Sequence, residues 1–178
     1  MFGYGSLMWR PGFAYVERRQ AVLHGRRRAF CIYSIHHRGR PERPGLVLGL
    51  TTGGSVTGVA FRVEESRWEE TRAYLVDREQ PTETYVEACR QVRLEDGRML
   101  GALVFLSDTA HPQWAGDLDL DHQAALIARS AGLSGLNIDY LRDLVAHLRA
   151  QGTRDAAMER LLHKAEALHR SEPVRTAA

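Results

Sequence analysis

Residues 1–10 read MFGYGSLMWR, and Gly3-Tyr4-Gly5-Ser6-Leu7 within them sets aromatic and apolar residues among two glycines and a serine. Glycine has no Cβ, so such a turn can reach positive φ and bring its backbone against a ligand. Consecutive N–H groups then aim into one concavity, which suits an anion or a developing oxyanion. An ordinary Gly-rich turn closing a short first strand fits the same residues, and this motif alone leaves both readings open. It is not Gly-x-Gly-x-x-Gly, and no Gly-Lys-Ser/Thr follows to make a nucleotide-binding loop.

Outward from that turn, residues 26–35 (RRRAFCIYSI) pass from basic to apolar-aromatic and predict a strand, with one arginine able to turn inward. The loop of residues 36–45 carries His36 and His37, but without Cys, Asp or Glu at ligand spacing they predict a polar loop, not a metal site. Residues 46–51 and 56–63 read as two strands joined by a turn at Thr52-Gly53-Gly54-Ser55, with Gly49 and Gly58 marking bends or close backbone approach. Residues 64–76 switch to helical period, with Trp68 and Leu75 on one side, and Pro81 ends the run.

Residues 85–92 and 99–106 flank Asp96-Gly97, a strong hairpin signal. Asp119 or Asp121 caps a helix to about residue 131, and residues 137–150 form a second. A third starts at Thr153 or Asp155 and carries Met158, Leu161 and Ala165. Strands first and helices last make an α+β domain. Glycines inside the strands favour a small closed or half-closed mixed β-barrel with flanking helices over a flat open sheet. Residues 1–170 are expected to form a single domain, and the polar, Pro-containing residues 171–178 a frayed tail.

With 24 basic and 22 acidic residues among 178, the net charge of +2 does not argue for a nucleic-acid partner. Arg26-Arg27-Arg28 has no interleaved aromatics and predicts a solvated strand entry rather than a phosphate patch. No apolar run approaches the ~20 residues of a membrane span, and no signal peptide is visible. Cys31 and Cys89 lie far apart, so a disulfide framework is not expected and a reducing cytoplasm is the expected location. No oligomeric state is specified.

Several segments agree in order with one family. Residues 2–9 (FGYGSLMW), 28–31 (RAFC), 43–50 (RPGLVLGL), 58–62 (GVAFR), 74–79 (YLVDRE) and 134–141 (SGLNIDYL) resemble the ChaC-like family, the glutathione-specific γ-glutamylcyclotransferases. The resemblance runs from about Phe2 to Leu162. It implies a small β-barrel with helices around it, and a lyase that cleaves glutathione into 5-oxoproline and cysteinylglycine without metal or organic cofactor. It implies that Tyr4, Gly5, Ser6 and Leu7 hold the γ-glutamyl moiety through main-chain groups, and that Glu79 is the essential carboxylate. It places Tyr85 in the substrate site, although Glu83-Thr84-Tyr85 lacks the glycine usual before that tyrosine, and it brings in Asn137 and Tyr140 from the late helix.

The residue types suit that chemistry. The substrate's own α-amine attacks its own γ-carbonyl, so the protein supplies orientation, one carboxylate to move a proton, and donors for the oxyanion. Ser6 has no nucleophile elbow around it and is assigned to binding. Glu83, Glu87 and Asp77 compete with Glu79 as the acid, and a salt bridge with Arg78 is the non-catalytic reading of Glu79 itself. Two rivals remain: a cyclotransferase for another γ-glutamyl amine or dipeptide, and a non-catalytic regulatory module linked to cation transport.

Overall fold

The strands β1 (Phe2–Gly3), β2 (Glu17–Ser34), β3 (Gly45–Arg62), β4 (Tyr85–Leu94) and β5 (Met99–Ser107) form one five-stranded sheet in the order β1-β3-β2-β4-β5. The structure is a computed structural model that describes residues 1–79 and 83–171. Helix α1 (Trp68–Glu79) lies between β3 and β4 in the chain. After β5 come α2 (Leu120–Arg129), the short pair β6 (Ala131–Gly132) and β7 (Gly135–Leu136), then α3 (Asn137–Ala150) and α4 (Ala156–Ser171).

The fold is α+β, as expected, but the sheet is not closed: β1 and β5 are its two edges. The hairpin at Asp96-Gly97 is present, with Tyr85 opposite Ser107 and Arg93 opposite Met99. Gly97 takes φ +90°, and the Leu94 N–H donates to the Arg98 carbonyl at 2.8 Å. The turn expected at Thr52-Gly53-Gly54-Ser55 is not a hairpin. β3 runs through it, with Gly53 and Gly54 at φ +92° and +69° inside the strand. Residues without a Cβ can absorb an irregular step within a ladder without reversing the chain. Gly58 serves close approach instead: a Cβ there would sit 2.3 Å from the Gly3 carbonyl oxygen of the paired β1. Pro81, expected to end α1, lies outside the described residues, as do residues 172–178 of the expected tail.

Two compact units divide the chain, Met1–Ala29 with Gly49–Pro112, and Phe30–Leu48 with the residues from 113 onward. The first has a core of Phe2, Met8, Leu23, Leu50, Leu75 and Phe105, each at most 2 % exposed. Phe13 packs edge-on against Phe61 and Tyr74, seating the segment after the N-terminal turn on β3 and α1.

In the second unit the three late helices pack on one another through Ile127, Ile138, Leu141, Leu144 and Leu161. Two of the three, α2 and α4, start at predicted caps. Asp119 accepts from the His122 N–H at 2.8 Å, and Asp155 from the Met158 N–H at 3.2 Å. The irregular link also pairs: Trp114 bridges Ile32, and the Ala115 N–H donates to the Cys31 carbonyl. Among the described residues no helix is long and apolar enough to cross a membrane.

Candidate active site

The turn after β1 is a single 3-10 turn, Ser6–Met8, with Gly5 before it at φ −129° and ψ −135°. Its carbonyls are occupied: the Met8 N–H donates to Gly5 at 2.9 Å and the Arg10 N–H to Ser6 at 2.8 Å. Among the described residues no hydrogen bond is made by the N–H groups of Gly5, Ser6 or Leu7. The first amides of a helical turn have no partner within it, so they are the natural donors to an external acceptor.

Long-range contacts hold this turn from several sides. The Tyr4 hydroxyl donates to the Phe105 carbonyl of β5 at 2.8 Å, and Tyr4 is 8 % exposed. The Tyr4 carbonyl accepts from Nε of Arg28 at 2.8 Å, and the same guanidinium reaches the Thr57 carbonyl at 2.7 Å. Arg28 is therefore the inward-turned member of the basic run, buried where Arg26 and its neighbours are not. Arg18 of β2 reaches the Met8 carbonyl at 3.4 Å.

Glu79 is the last residue of helix α1. The helix carries Glu69 and Glu70 in its first turn and Arg78 in its last, matching its dipole, and buries Thr71 and Leu75. Arg78 then links helix and turn. Its Nη2 donates to Ser6 Oγ at 3.1 Å, its Nη1 to the Arg10 and Pro11 carbonyls and to the Tyr74 hydroxyl, and its Nε sits 3.2 Å from Glu79 Oε1. The Glu79 side chain is 21 % exposed. Burial raises its carboxyl above the ordinary range, and the nearby Arg78 charge offsets that only in part.

The competing acids are placed differently. Glu87 accepts from Nε and Nη2 of Arg72, at 2.9 and 3.1 Å. Asp77 and Glu83 are exposed, and Glu83 is the one non-glycine residue with positive φ among those described, at +54°. Glu83 stands two residues before Tyr85, where the resemblance expects glycine, so its backbone adopts a conformation glycine would take without strain. Tyr85 opens β4, half-buried, next to the fully packed Thr84, whose carbonyl accepts from the Asp108 N–H at 2.9 Å.

Asn137 and Tyr140 belong to the second unit. Asn137 is 0 % exposed, and its side-chain amide answers both backbone groups of Leu46: Oδ1 accepts from the N–H and Nδ2 donates to the carbonyl, each at 2.7 Å. Tyr140 lies edge-on to Phe30 and beneath the Arg38 guanidinium, 5.3 Å from its ring centre. His37 shares a hydrogen bond with Ser134 Oγ at 3.0 Å. Among the described residues no cluster of three or more His, Cys, Asp or Glu has the geometry to hold a metal ion.

The Arg78–Glu79 salt bridge expected from the sequence is present, but its reach to Ser6 and the choice of Arg28 as the inward arginine were not foreseen. The signal for Arg78 was its place next to the acid; the signal for Arg28 was its place at the apolar end of a basic run.

The ChaC-like protein family matches residues 1–168. A glutathione-specific γ-glutamylcyclotransferase of Escherichia coli is 39% identical over 162 residues, which cover 91% of this chain and 70% of that one. The glutathione-specific γ-glutamylcyclotransferase 1 of Danio rerio is 35% identical over 153 residues, covering 84% of this chain and 78% of the other. Among solved structures, a yeast γ-glutamyl cyclotransferase specific to glutathione superposes with a TM-score of 0.89 over 97% of both chains at 24% identity, a likeness of fold. With a family match over nearly its whole length, the chain belongs to the ChaC-like protein family.

Proposed function

We propose that this protein is a glutathione-specific γ-glutamylcyclotransferase, a lyase that releases 5-oxoproline and cysteinylglycine. The observation that carries the reading is the link through Arg78: one guanidinium contacts Ser6 Oγ at 3.1 Å and Glu79 at 3.2 Å, which supports a single site for the open amides and the acid. The names of relatives at 35–39% identity supply the substrate.

In this reading the γ-glutamyl chain folds back so that its α-amine meets its γ-carbonyl. Such orientation contributes up to about 7–11 kcal/mol in well-arranged cases. Glu79 takes a proton from the attacking ammonium, and the N–H groups of Gly5, Ser6 and Leu7 receive the charge that develops on the γ-oxygen. Glu79 then returns the proton to the nitrogen of the departing cysteinylglycine. A carboxyl raised by burial suits both halves of that transfer, because a base works best near the operating pH.

Tyr4 supports the turn and Tyr85 contacts substrate, while Asn137 holds the start of β3 within the second unit. Residues 1–170 act as one catalytic domain, a reading supported by β2 and β3, each of which runs through both units. The two free thiols, Cys31 and Cys89, suit a reducing cytoplasm.

The test is incubation of the purified protein with glutathione, reading cysteinylglycine and 5-oxoproline. Glu79→Gln should keep the circular-dichroism spectrum and lose at least ~10²-fold in turnover. Full activity in that variant would remove Glu79 from the reaction.

A further inference from the structure

We propose that Arg78 is the positioning residue of this site: one guanidinium fixes the turn of residues 6–11 against the end of α1 and orients the Glu79 carboxylate beside it. The inference rests on reading Glu79 as the group that moves the proton.

Adjacent residues on a helix do not face one another. Helix geometry alone therefore does not bring Arg78 and Glu79 to 3.2 Å, and the contact forms because the guanidinium is held by other acceptors. Those acceptors are the Arg10 and Pro11 carbonyls, the Tyr74 hydroxyl at 2.9 Å and Ser6 Oγ at 3.1 Å. The pair is also not a loose surface bridge, since the two side chains are 22% and 21% exposed.

All three nitrogens of the group are in use: Nη1 on the carbonyls and the tyrosine, Nη2 on the serine, Nε on the acid. A planar fork of five N–H donors can serve partners on several sides at once, whereas an ammonium is a point charge with three donors. Beside Arg78, helix α1 carries Glu69, Glu70, Arg72, Tyr74 and Asp77, Tyr4 and Arg10 flank the turn, and Arg18 and Arg28 of β2 hold the Met8 and Tyr4 carbonyls. Of all these, Arg78 is the one whose charge bears on Glu79.

Two roles, charge and fork, can be separated. Arg78→Gln removes both, and Arg78→Lys keeps the charge while losing the fork. The Glu79 carboxyl is followed by carbon NMR across pH without substrate, and kcat and KM for glutathione are measured on the same proteins. In Arg78→Gln the Glu79 midpoint should rise by about 1–3 pH units, the usual effect of losing a close opposite charge, and the acid limb of kcat should move with it. In Arg78→Lys the midpoint should stay near that of the wild type while KM rises roughly tenfold, the loss of one or two hydrogen bonds to the turn.

An unmoved midpoint in Arg78→Gln, or identical damage by both variants in every readout, overturns the proposal. If Arg78→Gln does not fold, the wild type still decides: its Arg78 Nε–H resonance should shift with the Glu79 midpoint, and a resonance blind to that titration overturns the proposal equally. Because the titration needs no substrate, a wild type that fails to cleave glutathione defeats the functional reading separately.

Discussion

Asn137→Ala tests how the late helix holds the start of β3. Asn137 is fully buried and is the first residue of α3, yet its side chain does not cap its own helix. It serves Leu46, 91 residues away, as acceptor to the N–H and donor to the carbonyl at 2.7 Å each. Leu46 is itself 0 % exposed, so truncation leaves a buried backbone donor and a buried backbone acceptor without partners. Each such group costs about 1–3 kcal/mol, and the pair about 2–6 kcal/mol. That is a large part of the 5–15 kcal/mol typical of a folded protein. At about 2–4 °C per kcal/mol for a chain of this size, Tm should fall by roughly 4–24 °C.

Thermal and urea unfolding followed by circular dichroism measure the effect. Asn137→Asp makes a second arm: the retained oxygen still accepts from the Leu46 N–H, but an oxygen now replaces the amide donor opposite the Leu46 carbonyl. That variant should be destabilised at neutral pH and recover part of the loss on acidification, when the carboxyl becomes a donor. A loss under about 1 kcal/mol for Asn137→Ala, below the cost of one stranded group, would refute the argument.

Glu83→Gly relieves a left-handed backbone that costs a side-chain-bearing residue about 1–2 kcal/mol, less the 0.5–1 kcal/mol of extra freedom glycine gains when unfolded. The net gain of up to about 1.5 kcal/mol should raise Tm by up to about 6 °C, Glu83→Ala should show no gain, and a fall in Tm for the glycine variant would contradict the strain. Glu87→Gln breaks a partly exposed pair with Arg72 and should cost less than about 1 kcal/mol with turnover unchanged; a loss of ~10² would move the acid role to Glu87. Glu79→Gln has a stability signature of its own. The folded carboxyl holds its proton more tightly than the unfolded one, so wild-type stability falls as pH rises from the ordinary carboxylate range through the raised midpoint. The variant should match the wild type below that window and be the more stable protein above it, as urea unfolding across pH would show; equal pH dependence in the two proteins would refute the raised midpoint.

What the sequence determined by itself was local. Helix α3 runs from Asn137 to Ala150 as its periodicity required, Asp119 and Asp155 cap the helices they precede, and Asp96-Gly97 turns the β4–β5 hairpin. Each depends on residues a few positions apart, whose preferences act wherever the chain goes. The motif made Glu79 the candidate acid, and its neighbour Arg78 was read from the sequence only as a salt-bridge partner.

The tertiary structure alone decided the rest, because the deciding partners are distant in the chain. Gly53 and Gly54 read locally as a reversal, but strand pairing carries β3 straight through them. Arg28 turns inward because the carbonyls of Tyr4 and Thr57, 24 and 29 residues away, are buried and need a donor. Arg78 becomes a clamp because the turn 72 residues earlier offers it Ser6, and Asn137 leaves its own helix end for Leu46. A buried polar group takes whichever partner folding brings within reach, and no local pattern encodes which one that is.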